Sequence, residues 1–302
     1  MKHDLISIAD LTREQIEEIF ALARRLKLDR KEGWPHPLLA GKTLAMIFEK
    51  PSLRTRVTFE AGMVQLGGYA VYLSPPDIGL GTRETAPDVA RNLSRWIDLI
   101  MVRTFSHAVL LELAQYATVP VINGLSDLLH PCQVLADCLT LTEQRGSLDG
   151  LKVAFMGDGN NVVNSWLNAA SKLPFSFALA CPSGYEPNTG VLTRARQNGA
   201  RITITQSIEE ALVGADAVYT DVWTSMGQEK ESAVRREAFR PYQVNAAVMA
   251  LAKSDALVMH CLPAHRGEEI TPDVLDGPQS VVFEQAENRL HVQKAIMVWL
   301  LR

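Results

Sequence analysis

The chain switches hydrophobic period again and again, and this alternation constrains its fold more than any other feature. Short apolar runs of strand length, TLAMIF (43–48), YAVYL (69–73), DLIMVRTF (98–105) and VPVIN (119–123), are separated by segments with helical spacing. A capping box opens the first helix, with Thr12 as N-cap and Gln15 three residues on, ahead of Ile16, Ile19, Phe20, Ala23 and Leu26. Further helices are expected from Arg54 to Leu66 (stopped by Gly67-Gly68), from Ala86 to Trp96 and from Val109 to Tyr116. A longer one, HPCQVLADCLTLTEQRG (130–146), ends at SLDG. The alternation then restarts with LKVAFMG (151–157), FSFALAC (175–181), RITIT (201–205), DAVYTDV (216–222) and ALVMHCL (256–262). Alternation on this scale predicts an α/β chain of two domains, each a parallel β-sheet flanked by helices. The expected limits are 1–146 and 147–284, with a C-terminal helix over 285–302 packing back on the first domain.

A length of 302 residues accommodates two cores. The net charge of −4 argues against a nucleic-acid partner while leaving room for a local basic pocket. No apolar run is long enough for a membrane span, and the start, MKHDLISIADLTREQ, lacks the apolar core of a signal peptide. The expected compartment is the cytoplasm, where Cys132, Cys138, Cys181 and Cys261, none in a CxxC pair, stay free thiols.

Ligands of open α/β sheets sit beyond the carboxyl ends of the strands, so motifs at those ends carry the most information. FEKPSLRTR (48–56) follows the first strand and opens a helix. Helix N-termini present unpaired N–H groups and a favourable dipole to anions. Ser52 and Thr55 add hydroxyls there, and Arg54 and Arg56 add guanidinium forks matched to phosphate oxygens. The same residues also suit a capped helix with two solvated arginines, and the segment alone does not separate the two readings. Arg103 closes another strand, and HPCQ puts His130 and Gln133 on one face of a helix start. MGDGNNVVNS (156–165) resembles a dinucleotide fingerprint poorly: Val162 takes the third glycine position, and FALACPSGYEP has no acidic residue at its strand tip. Asn160 and Asn161 suit a polar small molecule instead. DVWTSMG (221–227) offers the Asp221 carboxylate to an ammonium group, followed by a small-residue loop through Ser225 and Met226. HCLPAHRG (260–267) brings Cys261 and Leu262 to a strand tip. A metal reading of His260, Cys261 and His265 ranks below a substrate pocket, since neighbours on an extended chain point opposite ways. Arg289 on the C-terminal helix has a solvated arginine as its plain reading.

Taken together these motifs closely resemble the ornithine carbamoyltransferases, from the first helix to ENRLH near the end. SLRTR looks like the carbamoyl-phosphate motif SxRTR, and HPCQ matches HPxQ; both are shared with the aspartate enzymes of the same superfamily. DVWTSMG and HCLP are the specific pair. The resemblance implies that Ser52, Leu53 through its backbone, Arg54 and Thr55 hold the phosphate of carbamoyl phosphate. It implies that Arg103, His130 and Gln133 contact the phosphate or carbamoyl group, and that Cys261, Leu262 and Arg289 surround the reacting centre. Asn161, Asp221, Ser225 and Met226 would bind L-ornithine, with Arg103, His130, Asp221 and Cys261 as the catalytic set. No metal or organic cofactor is implied, because carbamoyl phosphate is already activated. A homotrimer or an assembly of trimers is implied, acting in amino-acid metabolism, and the motifs are common to arginine synthesis and breakdown. Two departures stand out: Gly79 in PPDIGLGTRE where many relatives carry Gln, and Leu53 where Thr is frequent. The competing readings are a transferase for putrescine, N-acetylornithine or aspartate, an oxidoreductase built on GDGNN, and a silent phosphate-binding subunit.

Overall fold

A computed structural model describes residues 2–81 and 83–302; Thr82, within PPDIGLGTRE, and Met1 lie outside the described residues. The chain divides into two compact units, one comprising Met1–Leu139 with Glu287–Arg302, the other Thr140–Ala286.

The first unit holds strands β1 (Thr43–Phe48), β2 (Tyr69–Leu73), β3 (Leu99–Arg103) and β4 (Val121–Leu125) in the order β2-β1-β3-β4. All pairings are parallel. β3 and β4 are buried throughout and β1 nearly so, which is why they read as continuous apolar runs. β2 is an edge and exposes alternate residues. Ile47, Ile100, Val102, Leu110, Leu113 and Val121 anchor the core on one face of the sheet. β4 begins two residues later than its apolar run because Pro120 has no N–H for the ladder, although its carbonyl accepts from Ile100 at 3.0 Å. The helix Leu53–Gln65 follows β1, and Ser52 caps it through a 3.2 Å bond from the Thr55 N–H to its Oγ. The expected capping box at Thr12 and Gln15 forms as well.

The second unit is a five-stranded parallel sheet in the order β7-β6-β5-β8-β9. Its strands are β5 (Lys152–Met156), β6 (Ser176–Ala180), β7 (Arg201–Thr205), β8 (Ala217–Thr220) and β9 (Leu257–His260). Trp166 of the helix Asn161–Ala170 packs edge-on to Phe175 and stacks on Phe177. The final helix runs Val282–Leu300, starting three positions before the sequence pattern shows it.

In each sheet the chain order reverses beside the first strand, between β1 and β3 and again between β5 and β8. The register sets strand ends level there: Phe48 pairs with Arg103, and Met156 and His260 both pair with Thr220. SLRTR, Arg103, GDGNN, DVWTSMG and HCLP leave these strand ends, the positions where open sheets hold ligands, while HPCQ opens the helix after β4, whose Leu125 pairs with Arg103.

Candidate active site

In the first unit, four buried polar residues converge: Arg103, His130, Gln133 and Arg289. Burial, then the charges of Arg289, Arg103 and Arg54, holds the His130 pKa well below the usual 6.5, so its ring is neutral near pH 7. Arg289 donates through Nη1 to Gln133 Oε1 at 2.5 Å and through Nη2 to Thr55 Oγ1 at 2.7 Å. Gln133 in turn donates through Nε2 to Asp137 Oδ1 at 2.8 Å, which fixes the direction of its amide. Ser52 Oγ accepts the capping bond and keeps its own proton for a ligand. The Leu53 side chain is 75% exposed, so its backbone N–H at the helix start is what it offers an anion. Three guanidinium groups around a neutral imidazole, beside a helix N-terminus, make a site for a compact polyanion with a carbonyl.

Arg56 is placed differently from its sequence reading as a second phosphate fork. It bonds Glu60 Oε1 at 3.0 Å and lies 3.9 Å over the Tyr72 ring. Lys50, unremarked in the sequence, is buried 4.2 Å over the Phe105 ring. Asp137 was legible as the position four residues after Gln133, on the same helix face.

In the second unit Asp221 is buried at the end of β8, surrounded by donors. Its Oδ1 accepts from Cys261 Sγ at 3.0 Å and from the Val222 N–H at 2.8 Å, and its Oδ2 from Asn160 Nδ2 at 2.8 Å. Asn160 thus touches Asp221, and its Oδ1 caps the helix on the Val162 and Val163 N–H groups; Asn161 is the first residue of that helix. Burial raises the Asp158 carboxyl to about 6 against the pull of Arg235, with Asp221 and Glu231 adding to the rise. Arg235 clamps Asp158 Oδ2 at 3.2 Å and the Trp223 carbonyl at 3.3 Å, and lies against the rings of Tyr185 and Phe239. Asp158 lies inside GDGNN but is not singled out there, and Arg235 carries no motif signal, since a helix arginine reads as solvated. Ser225 and Met226 lie in a turn held by Gln228, whose Oε1 accepts from the Ser225 N–H at 3.1 Å; Met226 is 44% exposed.

The glycines of GDGNN have structural reasons of their own. Gly157 adopts φ +129°, and a Cβ on Gly159 would lie 2.4 Å from Pro187 N and 2.5 Å from the Glu186 carbonyl carbon. Backbone therefore fills the space a pyrophosphate would need. Against the expectation that neighbours point apart, ligand atoms of His260 and Cys261 come within 4.8 Å of each other and of Asp221, but His260 Nδ1 already accepts from the Leu262 N–H at 2.8 Å, leaving Nε2 protonated toward Glu269. His265 groups instead with Glu268 and Glu269.

Comparison with known proteins identifies the family. Residues 3–143 match the carbamoyl-P binding domain of aspartate/ornithine carbamoyltransferase, and 149–300 match the Asp/Orn binding domain. The ornithine carbamoyltransferase of Syntrophus aciditrophicus is 55% identical over 302 residues, covering 100% of both chains. The structure of ornithine carbamoyltransferase from Pyrococcus furiosus superposes with a TM-score of 0.95 at 51% identity, over 98% of this chain and 96% of that one. An anabolic ornithine carbamoyltransferase from Campylobacter jejuni gives a TM-score of 0.93 at 39% identity, with 99% of each chain covered. With both domain models matched in order and full-length relatives above half identity, the chain belongs to the aspartate/ornithine carbamoyltransferase family.

Proposed function

We propose that this chain transfers the carbamoyl group of carbamoyl phosphate to the δ-amine of L-ornithine, giving L-citrulline and phosphate. The observation that carries the reading is the buried, neutral His130 among Arg103, Arg289 and Arg54. Charge grows on the carbonyl oxygen and on the leaving phosphate as the amine attacks. Arg103 and the His130 N–H serve the first, while Ser52, the Leu53 N–H, Arg54, Thr55 and Arg289 serve the second. Gln133, its amide fixed by Asp137 and Arg289, orients the carbamoyl group.

The amine must also lose a proton, which costs roughly 4–5 kcal/mol at pH 7 for an alkyl ammonium of pKa near 10.4. Asp221 holds the ammonium, and Cys261 and the Leu262 backbone orient it as the proton leaves. Cys261 acts as a hydrogen-bond partner, since the amine itself is the nucleophile. Asn161, Ser225 and Met226 bind the α-amino acid end, with the 225–227 turn ordering when substrate arrives. Asp221 with Cys261 and Asn160 is what supports an amino substrate here.

The setting proposed is arginine biosynthesis in the cytoplasm, in the direction named for the Campylobacter relative. The four free cysteines support that compartment. A homotrimer, or an assembly of trimers, is proposed as the working form. Its support is an apolar stripe on one helix face, Leu53, Val57 and Val64 at 75%, 50% and 70% exposure, beside Tyr69 and Val71 of the edge strand at 71% and 44%. Light scattering on the purified protein tests it, and a monomeric mass sinks it.

The test of function is ureido-product formation from carbamoyl phosphate with L-ornithine, putrescine, N-acetylornithine or aspartate, without added metal. Strong preference for ornithine is expected. Preference for another amine discards the ornithine half of the reading, and no product from any of them discards the transferase.

A further inference from the structure

Inside the first unit, the final helix (Val282–Leu300) lies against the helix that SLRTR opens (Leu53–Gln65). A Cβ on Gly62 would come 3.1 Å from Lys294 Cγ, 3.2 Å from Met297 Cε and 3.7 Å from Leu290 Cδ1. Positions 290, 294 and 297 follow helical spacing, so one stripe of the final helix runs over that glycine. Arg289 stands beside the first residue of the stripe. From there its guanidinium reaches Thr55 Oγ1, in the first turn of the partner helix, at 2.7 Å and Gln133 Oε1 at 2.5 Å.

Lys294 makes the contact at the other end. Its Nζ donates to Oε1 of Gln65, the last residue of the same helix, at 3.0 Å, and to His36 Nε2 at 2.8 Å. The His36 ring is set to receive it: Nδ1 lies 2.9 Å from the Trp34 carbonyl, which only accepts, so Nδ1 carries the proton and Nε2 takes the lysine's. Lys294 is fully buried, yet among the described residues no carboxylate pairs with it. Burial, then the charge of Arg30, pushes its pKa down to about 8 against the pull of Asp29, so at neutral pH the charge is carried at a cost to stability. A methionine fills similar volume without that cost, and Gln65 and His36 are partly exposed, so water satisfies them in its place. Packing and stability therefore do not call for an amine here. What the amine adds is a second polar tie between the two helices. Arg289 on Thr55 and Lys294 on Gln65 hold opposite ends of one helix with Gly62 between them, and one tie alone leaves the final helix free to turn about it.

We propose that Lys294 is a positioning residue for the anion site, pinning the final helix to Gln65 and His36 so that Arg289 meets Thr55 and Gln133. This rests on the reading above that Arg289 holds the phosphate of carbamoyl phosphate.

Inorganic phosphate, titrated calorimetrically into the purified protein, reads the site apart from turnover. In Lys294→Met the phosphate Kd and the carbamoyl phosphate KM should rise by about ten-fold, while the ornithine KM stays within roughly three-fold. The thermal midpoint at pH 7 should not fall. In an Arg289→Ala background, Lys294→Met should add no further loss of phosphate affinity, because it acts through that guanidinium. Gln65→Leu removes the acceptor of the same tie and should give the same pattern; it carries the test if Lys294→Met does not fold. A folded variant of either kind that binds phosphate within about three-fold of the wild type overturns the proposal, as does an equal loss with and without Arg289. A lowered midpoint with unchanged affinity overturns it too, since Lys294 then serves stability alone. If Arg289→Ala itself binds phosphate like the wild type, the reading of the anion site fails and the proposal with it; if Arg289→Ala is weakened and Lys294→Met is not, the proposal alone fails.

Discussion

Arg289 donates through Nη1 to Gln133 Oε1 at 2.5 Å, although 156 positions separate the two residues. The bond ties the C-terminal helix to the HPCQ helix inside the first unit, and a second from Nη2 reaches Thr55 at 2.7 Å. Arg289 therefore orients two other proposed ligands besides offering its own charge.

Arg289→Ala removes a charged group and frees both partners to reorient. Loss of one charged partner from a buried pair costs on the order of 2–5 kcal/mol, so carbamoyl phosphate should bind roughly 30-fold to several thousand-fold more weakly. Arg289→Lys keeps charge but lacks the fork, and should recover little. Calorimetric titration with carbamoyl phosphate or inorganic phosphate checks this; unchanged affinity in Arg289→Ala removes the residue from the anion site.

How much of this was legible in the sequence depended on where each residue's partners lie. The nine strands among the described residues and the Ser52-capped helix start in SLRTR were readable because their signals are contiguous: an apolar run, then a capping serine, then a helix start. Arg56 was misread because its partners, Glu60 and the Tyr72 ring, need the helix phase and the neighbouring edge strand. Asn160 and Asn161 are adjacent, and only the fold shows that Asn160 caps its helix and reaches Asp221 at once. Arg235 and Glu269 were invisible, since a charged residue on a short helix or loop reads as solvated until the fold buries it.

Acid should weaken the first unit through His291. The ring is buried and neither nitrogen has a hydrogen-bond partner, although the half-exposed Glu287 carboxylate lies 3.6 Å from Nε2. Burial, then the charges of Lys294, Lys27, Arg30 and His36, pushes its pKa down to about 3. The folded state thus binds fewer protons than the unfolded one, whose histidine titrates near 6.5. Stability from this group is fully present above that value and is lost as pH falls toward 3. At pH 5 the loss is about 2 kcal/mol. His130 acts in the same direction and remains in both proteins compared. His291→Leu should therefore narrow the gap between thermal midpoints at pH 7.5 and pH 5 by several degrees; an unchanged gap rules out this histidine as an acid-sensitive group.

Removing Arg235 should be costly in a pH-dependent way. Arg235→Met keeps the volume but leaves Asp158 buried without its cation, a change of about 3–5 kcal/mol. The Asp158 carboxyl already sits near 6, and it rises further once Arg235 is gone. A raised carboxyl gives stability that is fully present below 3.8 and lost as pH rises through the folded value. The penalty in Arg235→Met should accordingly be smaller at pH 5 than at pH 7.5. Adding Asp158→Asn should restore part of the stability, and urea unfolding of the four proteins of the cycle measures the coupling. Equal penalties at both pH values, with no coupling, mean the pair is not what holds Arg235.

Gly159 gives the sharpest contrast between the two readings of GDGNN. A dinucleotide glycine makes room for a ligand, so an alanine there leaves the apoprotein folded and removes only binding. In this structure the space is taken by backbone, with the added Cβ 2.4 Å from Pro187 N, 2.5 Å from the Glu186 carbonyl carbon and 2.7 Å from Tyr185 O. None of these is the movable end of a side chain. The Gly159 N–H also donates to Tyr185 O at 2.9 Å, so pushing the two segments apart breaks a hydrogen bond as well. Gly159→Ala should cost about 1–3 kcal/mol or more in the absence of any ligand. The displacement passes to Asn160, next in the chain, and through its 2.8 Å bond to Asp221. The ornithine KM should rise with the loss of stability, while carbamoyl phosphate, held in the first unit, should bind as before. A variant as stable as the wild type would mean that the 185–187 segment yields freely, and the packing account of this glycine would be wrong.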